Sequence, residues 1–267
     1  MMRPLAVSNL AWPAAALDEA LGLLARLGCG AVEIAPFAVF GRWEGIADEA
    51  RRVRERIEGH GLECVALQGI LFGAEDVSLF GTGEQRGRLE AHLDHVAALA
   101  GLLGARACVF GAPKQRDPGG LSAEEAWEMA LGGLRRIGPA FDAVGSALAF
   151  EANSSRYGCR FVTTTAEAIR LVQEASCPGV GLQIDTGTIF LEHEDPAVLL
   201  DAASLAVHAH VSEPGLQALG GVSHAAMATA LRESQYGGVV SIEMKDEGGD
   251  WAGAVERAVG FVREVYF

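Results

Sequence analysis

Cysteine is scarce and scattered in this chain: five thiols, Cys29, Cys64, Cys108, Cys159 and Cys177, with no C-x-x-C pair among them. That spacing excludes a zinc ribbon or a dithiol redox site, and the odd count argues against a disulfide framework. The five read as reduced thiols in a cytoplasm, and three fall in or beside apolar strand segments, where cysteine packs as a small hydrophobe. Basic residues are also in short supply: 21 Lys and Arg face 35 Asp and Glu, a net charge of -14. Such a chain repels a phosphate backbone, and no basic cluster offsets the excess, so no nucleic acid is expected as a partner. No uncharged apolar run approaches the roughly 18 residues of a membrane span, so no membrane partner is expected either. A leader could be sought in Met1 to Ala16, with Arg3 at its basic end, but the polar pair Ser8-Asn9 interrupts the apolar segment it would need. Linkers, low-complexity tracts and shifts of composition are missing too, which points to one domain over residues 1–267.

What is present is a large supply of core-forming residues, half the chain being hydrophobic, arranged in strand-length apolar runs that alternate with longer helical segments. Eight such runs are legible: Leu5 to Asn9, Ala31 to Ala35, Glu63 to Gln68, Arg106 to Phe110, Ala147 to Glu151, Gly181 to Asp185, Ala206 to Val211 and Val239 to Glu243. Leu17, Leu21, Leu24 and Leu27 mark one intervening helix, and Trp251, Val255, Val259 and Val262 another. Ser122 with Glu125, and Thr164 with Glu167, have the spacing of capping boxes at helix starts. The Arg- and Glu-rich segment from Ala47 to His60 reads as a solvated outer helix face. Eight βα units are what closure into a parallel (β/α)₈ TIM barrel requires. An open doubly wound sheet is the competitor, but its Gly-rich phosphate loop is not found after the first strand, where Ser8-Asn9-Leu10-Ala11-Trp12-Pro13 stands.

In such barrels the working residues end the strands, and the last four strands end in Glu151, Asp185, His210 and Glu243. Any one of these alone is as well explained by an ordinary polar rim. Three carboxylates converging on an apolar barrel would repel one another, and one divalent cation relieves both the repulsion and the cost of burial. One imidazole with three carboxylates favours Mn²⁺ or Mg²⁺, with Co²⁺ or Zn²⁺ compatible.

Several tracts then carry a resemblance: Val32-Glu33-Ile34-Ala35-Pro36, Gln68-Gly69-Ile70-Leu71-Phe72-Gly73, Phe110-Gly111-Ala112-Pro113-Lys114, Glu151-Ala152-Asn153 with Tyr157-Gly158, Asp185-Thr186-Gly187, His210-Val211-Ser212-Glu213-Pro214 and Ser241-Ile242-Glu243-Met244-Lys245. Over most of its length the chain resembles the xylose isomerase-like TIM-barrel superfamily, in particular its sugar-phosphate isomerase/epimerase branch with the D-tagatose and D-psicose 3-epimerases. The resemblance implies that Glu151, Asp185, His210 and Glu243 bind the metal and that Glu151 and Glu243 also move protons. It implies a small polyhydroxylated substrate, and assembly as a homodimer or homotetramer. The pattern of those epimerases is not kept where they hold substrate hydroxyls: a Glu, a His and an Arg are replaced by Tyr157, Thr188 and Leu216.

Other candidates border the same strand ends. Glu33, Gln68, Asn153 and Tyr157 are candidates for substrate hydroxyls, and Trp12 and Phe72 for an apolar wall against a sugar ring. Lys114, Arg116 and Lys245 are either anchors for a phosphate or carboxylate or solvated loop charges. Glu213 either binds substrate or braces its loop. His208, on the same strand face as His210, either orients the ligand shell or is a satisfied core histidine. His60, His92, His95, His193 and His224 are expected at the surface or in packing. The function expected is a metal-dependent isomerase or epimerase that works through an enediolate, Glu151 and Glu243 exchanging the proton. The rival is a dehydratase of the inosose or dehydroshikimate type. An abasic-site endonuclease would need more histidines and a cationic groove, and a sugar-binding protein would not need paired glutamates on a metal.

Overall fold

In the computed structural model, which describes residues 5–267, eight parallel strands close on themselves in chain order. They are β1 (Leu5–Ser8), β2 (Ala31–Ile34), β3 (Glu63–Leu67), β4 (Ala107–Phe110), β5 (Leu148–Glu151), β6 (Val180–Asp185), β7 (Ala206–Ser212) and β8 (Val240–Glu243). Closure is made by β1 pairing with β8, with Leu5 beside Val240 and Val7 beside Ile242. Each strand expected from the sequence is found, with ends that agree to within one residue. Arg3 and Pro4 lie outside the described residues.

The helices follow from the periodicities. α1 (Leu17–Arg26) buries Leu17, Ala20, Leu21, Leu23 and Leu24, the stripe read from its leucines, while Leu27 falls at its C-terminal cap. α2 (Pro36–Phe40) is a single short turn after β2. α3 (Ala47–Gly59) buries only Ala50, Val53 and Ile57 and turns its arginines and glutamates to solvent. α4 (Gly83–Leu103) and α5 (Ala123–Asp142) are the longest early helices. Thr82 and Gln85 form a further capping box on α4, and the two expected boxes are formed by Ser122 with Glu125 on α5 and Thr164 with Glu167 on α6 (Thr165–Ala175). Behind β6 stand α7 (Thr186–Leu191) and α8 (Val198–Ala202), then α9 (Ala225–Glu233) and α10 (Trp251–Tyr266) finish the outer layer. Among the described residues no helix is long and apolar enough to cross a membrane.

The main core fills the space between the outer face of the barrel and these helices, with Leu21, Leu24, Ile34, Ile57, Leu67, Phe110, Phe141 and Phe150 fully buried. Each such side chain contributes roughly 1.5–3 kcal/mol by leaving water. Two small groups stand apart from it, Ala6 with Ala31 and Val65, and Ala66 with Ala107 and Ala149. Alternation along a strand aims every second residue at the barrel axis. Contacts between strands that are not neighbours confirm which residues those are: Gln68 donates to Ser8 across β2, and Glu33 of β2 meets His208 and His210 of β7. The barrel interior is therefore polar toward its C-terminal end and lined by small residues below. Four buried cysteines and the partly buried Cys177 are all free thiols. Burial pushes Cys29 up to about 11 and Cys108 up to about 12 despite nearby polar groups, so both remain protonated and inert at neutral pH.

Ser122→Ala removes one half of the α5 capping box and should lower unfolding stability by about 1 kcal/mol, some 2–4 °C in Tm. Calorimetric melts would check it, and metal affinity should not change.

Candidate metal centre

Strand register brings the four strand-end residues together. Asp185 of β6 lies directly beside His210 of β7, and Ser212 of β7 lies beside Glu243 of β8. Glu151 ends β5 opposite Gln183, one inward position below Asp185. His210 Nδ1 lies 3.2 Å from Glu243 Oε2 and 3.7 Å from Glu151 Oε1. Donor atoms of Glu151, Asp185 and His210 all fall within 4.8 Å of one another, a group able to hold a metal ion.

Two of the three carboxylates are aimed by neighbouring hydrogen-bond donors. Asp185 caps the N-terminus of α7: its Oδ2 accepts from the Thr188 amide at 2.8 Å, and Ser212 Oγ donates to its Oδ1. Ser212 is held in turn, with Thr186 Oγ1 accepting its amide at 2.9 Å and donating to its carbonyl at 2.8 Å. Asn153 Nδ2 donates to Glu151 Oε2 at 2.7 Å. The buried Arg116 donates to the Glu151 carbonyl at 2.6 Å with its guanidinium 4.9 Å over the Phe150 ring, so it fixes the end of β5. Gly111 leaves the space that Glu151 uses, since a Cβ there would lie 2.5 Å from Oε2.

Electrostatics show what such a cluster costs. Burial, joined by the Glu151 charge, pushes the Asp185 carboxyl up, and burial pushes Glu243 up against the opposing pull of His210. His210 is raised as well, but for the opposite reason: burial disfavours its cation, and the charges of Glu33 and Glu243 outweigh that and lift it well above the ordinary imidazole value. Without another cation the cluster must therefore hold protons. A divalent ion fits the same donors. His210 Nδ1 is buried and has no aligned hydrogen-bond partner, and its 3.2 Å separation from Glu243 Oε2 is close to the edge of an octahedron with bonds of about 2.1 Å.

Above the cluster opens a cavity of about 720 Å³, with Glu151, Asp185 and Glu243 on its wall together with Gln68, Phe72, Lys114, Asn153, Tyr157, Thr188 and Leu216. Its remaining lining is largely apolar, including Ile70, Leu71, Val109 and Pro113.

A profile of the xylose isomerase-like TIM barrel family matches residues 21–265. The chain belongs to this family. Among solved structures, that of a D-psicose 3-epimerase in the presence of D-fructose superposes with a TM-score of 0.82 at 18% identity, covering 99% of each chain. An L-ribulose 3-epimerase gives 0.82 at 18% identity over 99% of this chain and 95% of the other. A 3-keto-D-glucoside 4-epimerase from E. coli gives 0.78 at 18% identity over 98% and 100%. No curated protein matches the chain significantly.

Within this xylose isomerase-like barrel the residues singled out from the sequence separate into two sets. Gln68, Phe72, Lys114, Asn153 and Tyr157 reach the cavity with the strand-end carboxylates, and so do Thr188 and Leu216 at the positions where the epimerase pattern is lost. Four others do not line it. Glu33 is fully buried and spends both oxygens on His208, His210 and Ser241. Trp12 is buried with its ring 6.4 Å from that of Trp251. Glu213 accepts from the amides of Gly220 and Gly221, which matches its loop-bracing reading. Lys245 is exposed, and its amide donates to the Leu216 carbonyl. Ser212, Ser241 and Gly111 stand in the tracts that carry the family resemblance but have no role assigned from the sequence, although Ser212 and Ser241 are each two residues from a proposed ligand and so share its strand face.

Metal binding should also set the pH response of stability. Asp185, Glu243 and His210 all have raised values in the protein as it stands, so each stabilises the metal-free fold below its ordinary pKa and loses that contribution as pH rises through the raised one. The Tm of chelator-treated protein should fall between about pH 5 and pH 8, whereas saturating Mn²⁺ takes over from the protons and removes the fall. Scanning calorimetry of both forms would show a gap that widens with pH; a constant or narrowing gap contradicts the assignment.

Proposed function

We propose that this protein is a divalent-metal-dependent isomerase or epimerase of a sugar, a sugar phosphate or a related polyol, and that Glu151, Asp185, His210 and Glu243 hold its metal. Three oxygen donors and one imidazole favour Mn²⁺ or Mg²⁺. The observation that carries the reading is the placement of Glu151 and Glu243: they approach His210 Nδ1 from β5 and β8, and their side chains keep 11% and 14% of their surface open to the cavity. Two carboxyls on different strands, both reaching a ligand from the same floor, are what proton removal and return demand. The sugar epimerases that share the fold support the same class of reaction.

A divalent ion on this set would supply Lewis acidity, polarising the carbonyl and neighbouring hydroxyl of a bound sugar. One glutamate, ionised, takes the proton from the hydroxyl-bearing carbon next to the carbonyl, leaving an enediolate in the substrate. The other glutamate, protonated, returns a proton. Delivery to the opposite face of the same carbon epimerises it; delivery to the adjacent carbon interchanges aldose and ketose. Asn153 keeps Glu151 Oε2 engaged, which leaves Oε1 on the His210 side. Gln68 and Lys114 offer donors along the wall, and Phe72 an apolar face, to orient the sugar.

A screen of ketoses, sugar phosphates and inososes with Mn²⁺ in deuterated water tests the proposal. Product of unchanged composition, carrying deuterium at the abstraction carbon or its neighbour, is the expected result. Loss of water from the product would move the protein to the dehydratases. Glu151→Gln and Glu243→Gln should each cut turnover by roughly 10²–10⁴, with metal content measured in the same samples. Near-native turnover by both, with metal retained, would refute the two-glutamate mechanism.

A further inference from the structure

Beneath the cavity floor a second polar cluster spans the barrel. Glu33 presents Oε1 and Oε2 to His210 Nε2 at 2.9 and 3.0 Å, and Oε2 also lies 3.3 Å from His208 Nε2. Ser241 Oγ donates to the same Oε2 at 2.6 Å. All four residues are buried, and none lines the cavity. The Glu33 side chain is fully buried, with two imidazole Nε2 atoms and the Ser241 hydroxyl gathered around its carboxyl group. This carboxylate has no substrate to meet and no water to face. What it does contact is the back of His210, whose other nitrogen, Nδ1, is the buried atom left without an aligned partner among Glu151, Asp185 and Glu243.

From this juxtaposition we propose that Glu33 is a positioning residue for the metal centre. Its carboxylate takes the Nε2–H of His210, which fixes the ring tautomer, turns the Nδ1 lone pair toward the three strand-end carboxylates and strengthens that nitrogen as a donor. Ser241 and His208 hold Glu33 in place for the task. The donors of Glu33, His208 and His210 are also close enough to share an ion of their own. An ion there would occupy His210 Nε2 and, with Nδ1 already a ligand, strip both ring nitrogens of protons. The hydrogen bond asks for no such deprotonation. The proposal rests on the reading of Glu151, Asp185, His210 and Glu243 as metal ligands.

Calorimetric titration of chelator-treated protein with MnCl₂ tests it, comparing the parent chain with Glu33→Gln and Ser241→Ala, with melts to confirm that each variant is folded. Glu33→Gln should weaken binding by about 10–100-fold, and Ser241→Ala should weaken it by less. A folded Glu33→Gln that binds within twofold of the parent overturns the proposal, and so does a parent that takes up two ions where the variant takes one. A parent that binds no ion removes the metal reading itself. Should Glu33→Gln not fold, ¹⁵N-histidine NMR of the zinc-loaded parent decides: His210 coordinated through Nδ1 and protonated at Nε2 supports the role, and coordination through Nε2 overturns it.

Discussion

Three carboxylates and one imidazole converge at one end of a closed barrel where little water reaches, and most of the local structure around them answers the repulsion this creates. Burial raises Asp185 and Glu243, while His210 is driven to hold a proton by Glu33 on one side and Glu243 on the other. Protons alone can settle such a cluster, at the cost of leaving His210 Nδ1 poorly matched to its neighbours. A divalent cation would settle it while letting every donor keep its lone pair, and would turn an electrostatic liability into a site for oxygen ligands from the cavity.

The barrel supplies precision that loops would not. Register sets Asp185 beside His210 and Ser212 beside Glu243, and supporting hydrogen bonds fix the carboxylates of Asp185 and Glu151. Asp185 illustrates the economy: the same carboxylate ends β6, caps α7 and joins the cluster. Below it, Glu33 reaches across the barrel where small residues such as Ala31 and Ala66 line the interior and leave room for long polar side chains. The cavity above keeps an apolar wall around a few polar groups, and Lys114 is its one basic side chain among the described residues. That composition suits a small ligand gripped by its oxygens.

Much of this was legible in the amino-acid order because strand ends announce themselves. An apolar run that stops at Glu151, Asp185, His210 or Glu243 places a charged group at the boundary of the core, and such placement has few physical reasons. The capping boxes at Ser122 and Thr164 were equally plain, since both partners lie three residues apart. Glu33 was harder. It ends an apolar run as the ligands do, and nothing local distinguishes a side chain aimed at the cavity from one that dives beneath it toward a strand on the far side of the barrel. The shift of register between Val32 and Glu33 is invisible without the partner strand. Trp12 and Glu213 follow strand ends in the chain, but a neighbouring Trp251 and the amides of Gly220 and Gly221 claim them, and those contacts join segments far apart or depend on loop conformation.

The central claim is that these four strand ends share one divalent ion. Crystals of the protein grown with Mn²⁺ and measured at the manganese absorption edge test it most directly. The account predicts a single anomalous peak per chain, within about 2.4 Å of His210 Nδ1 and of carboxylate oxygens from Glu151, Asp185 and Glu243. No peak at that position in Mn²⁺-saturated crystals, or a peak ligated elsewhere in the barrel, would contradict it.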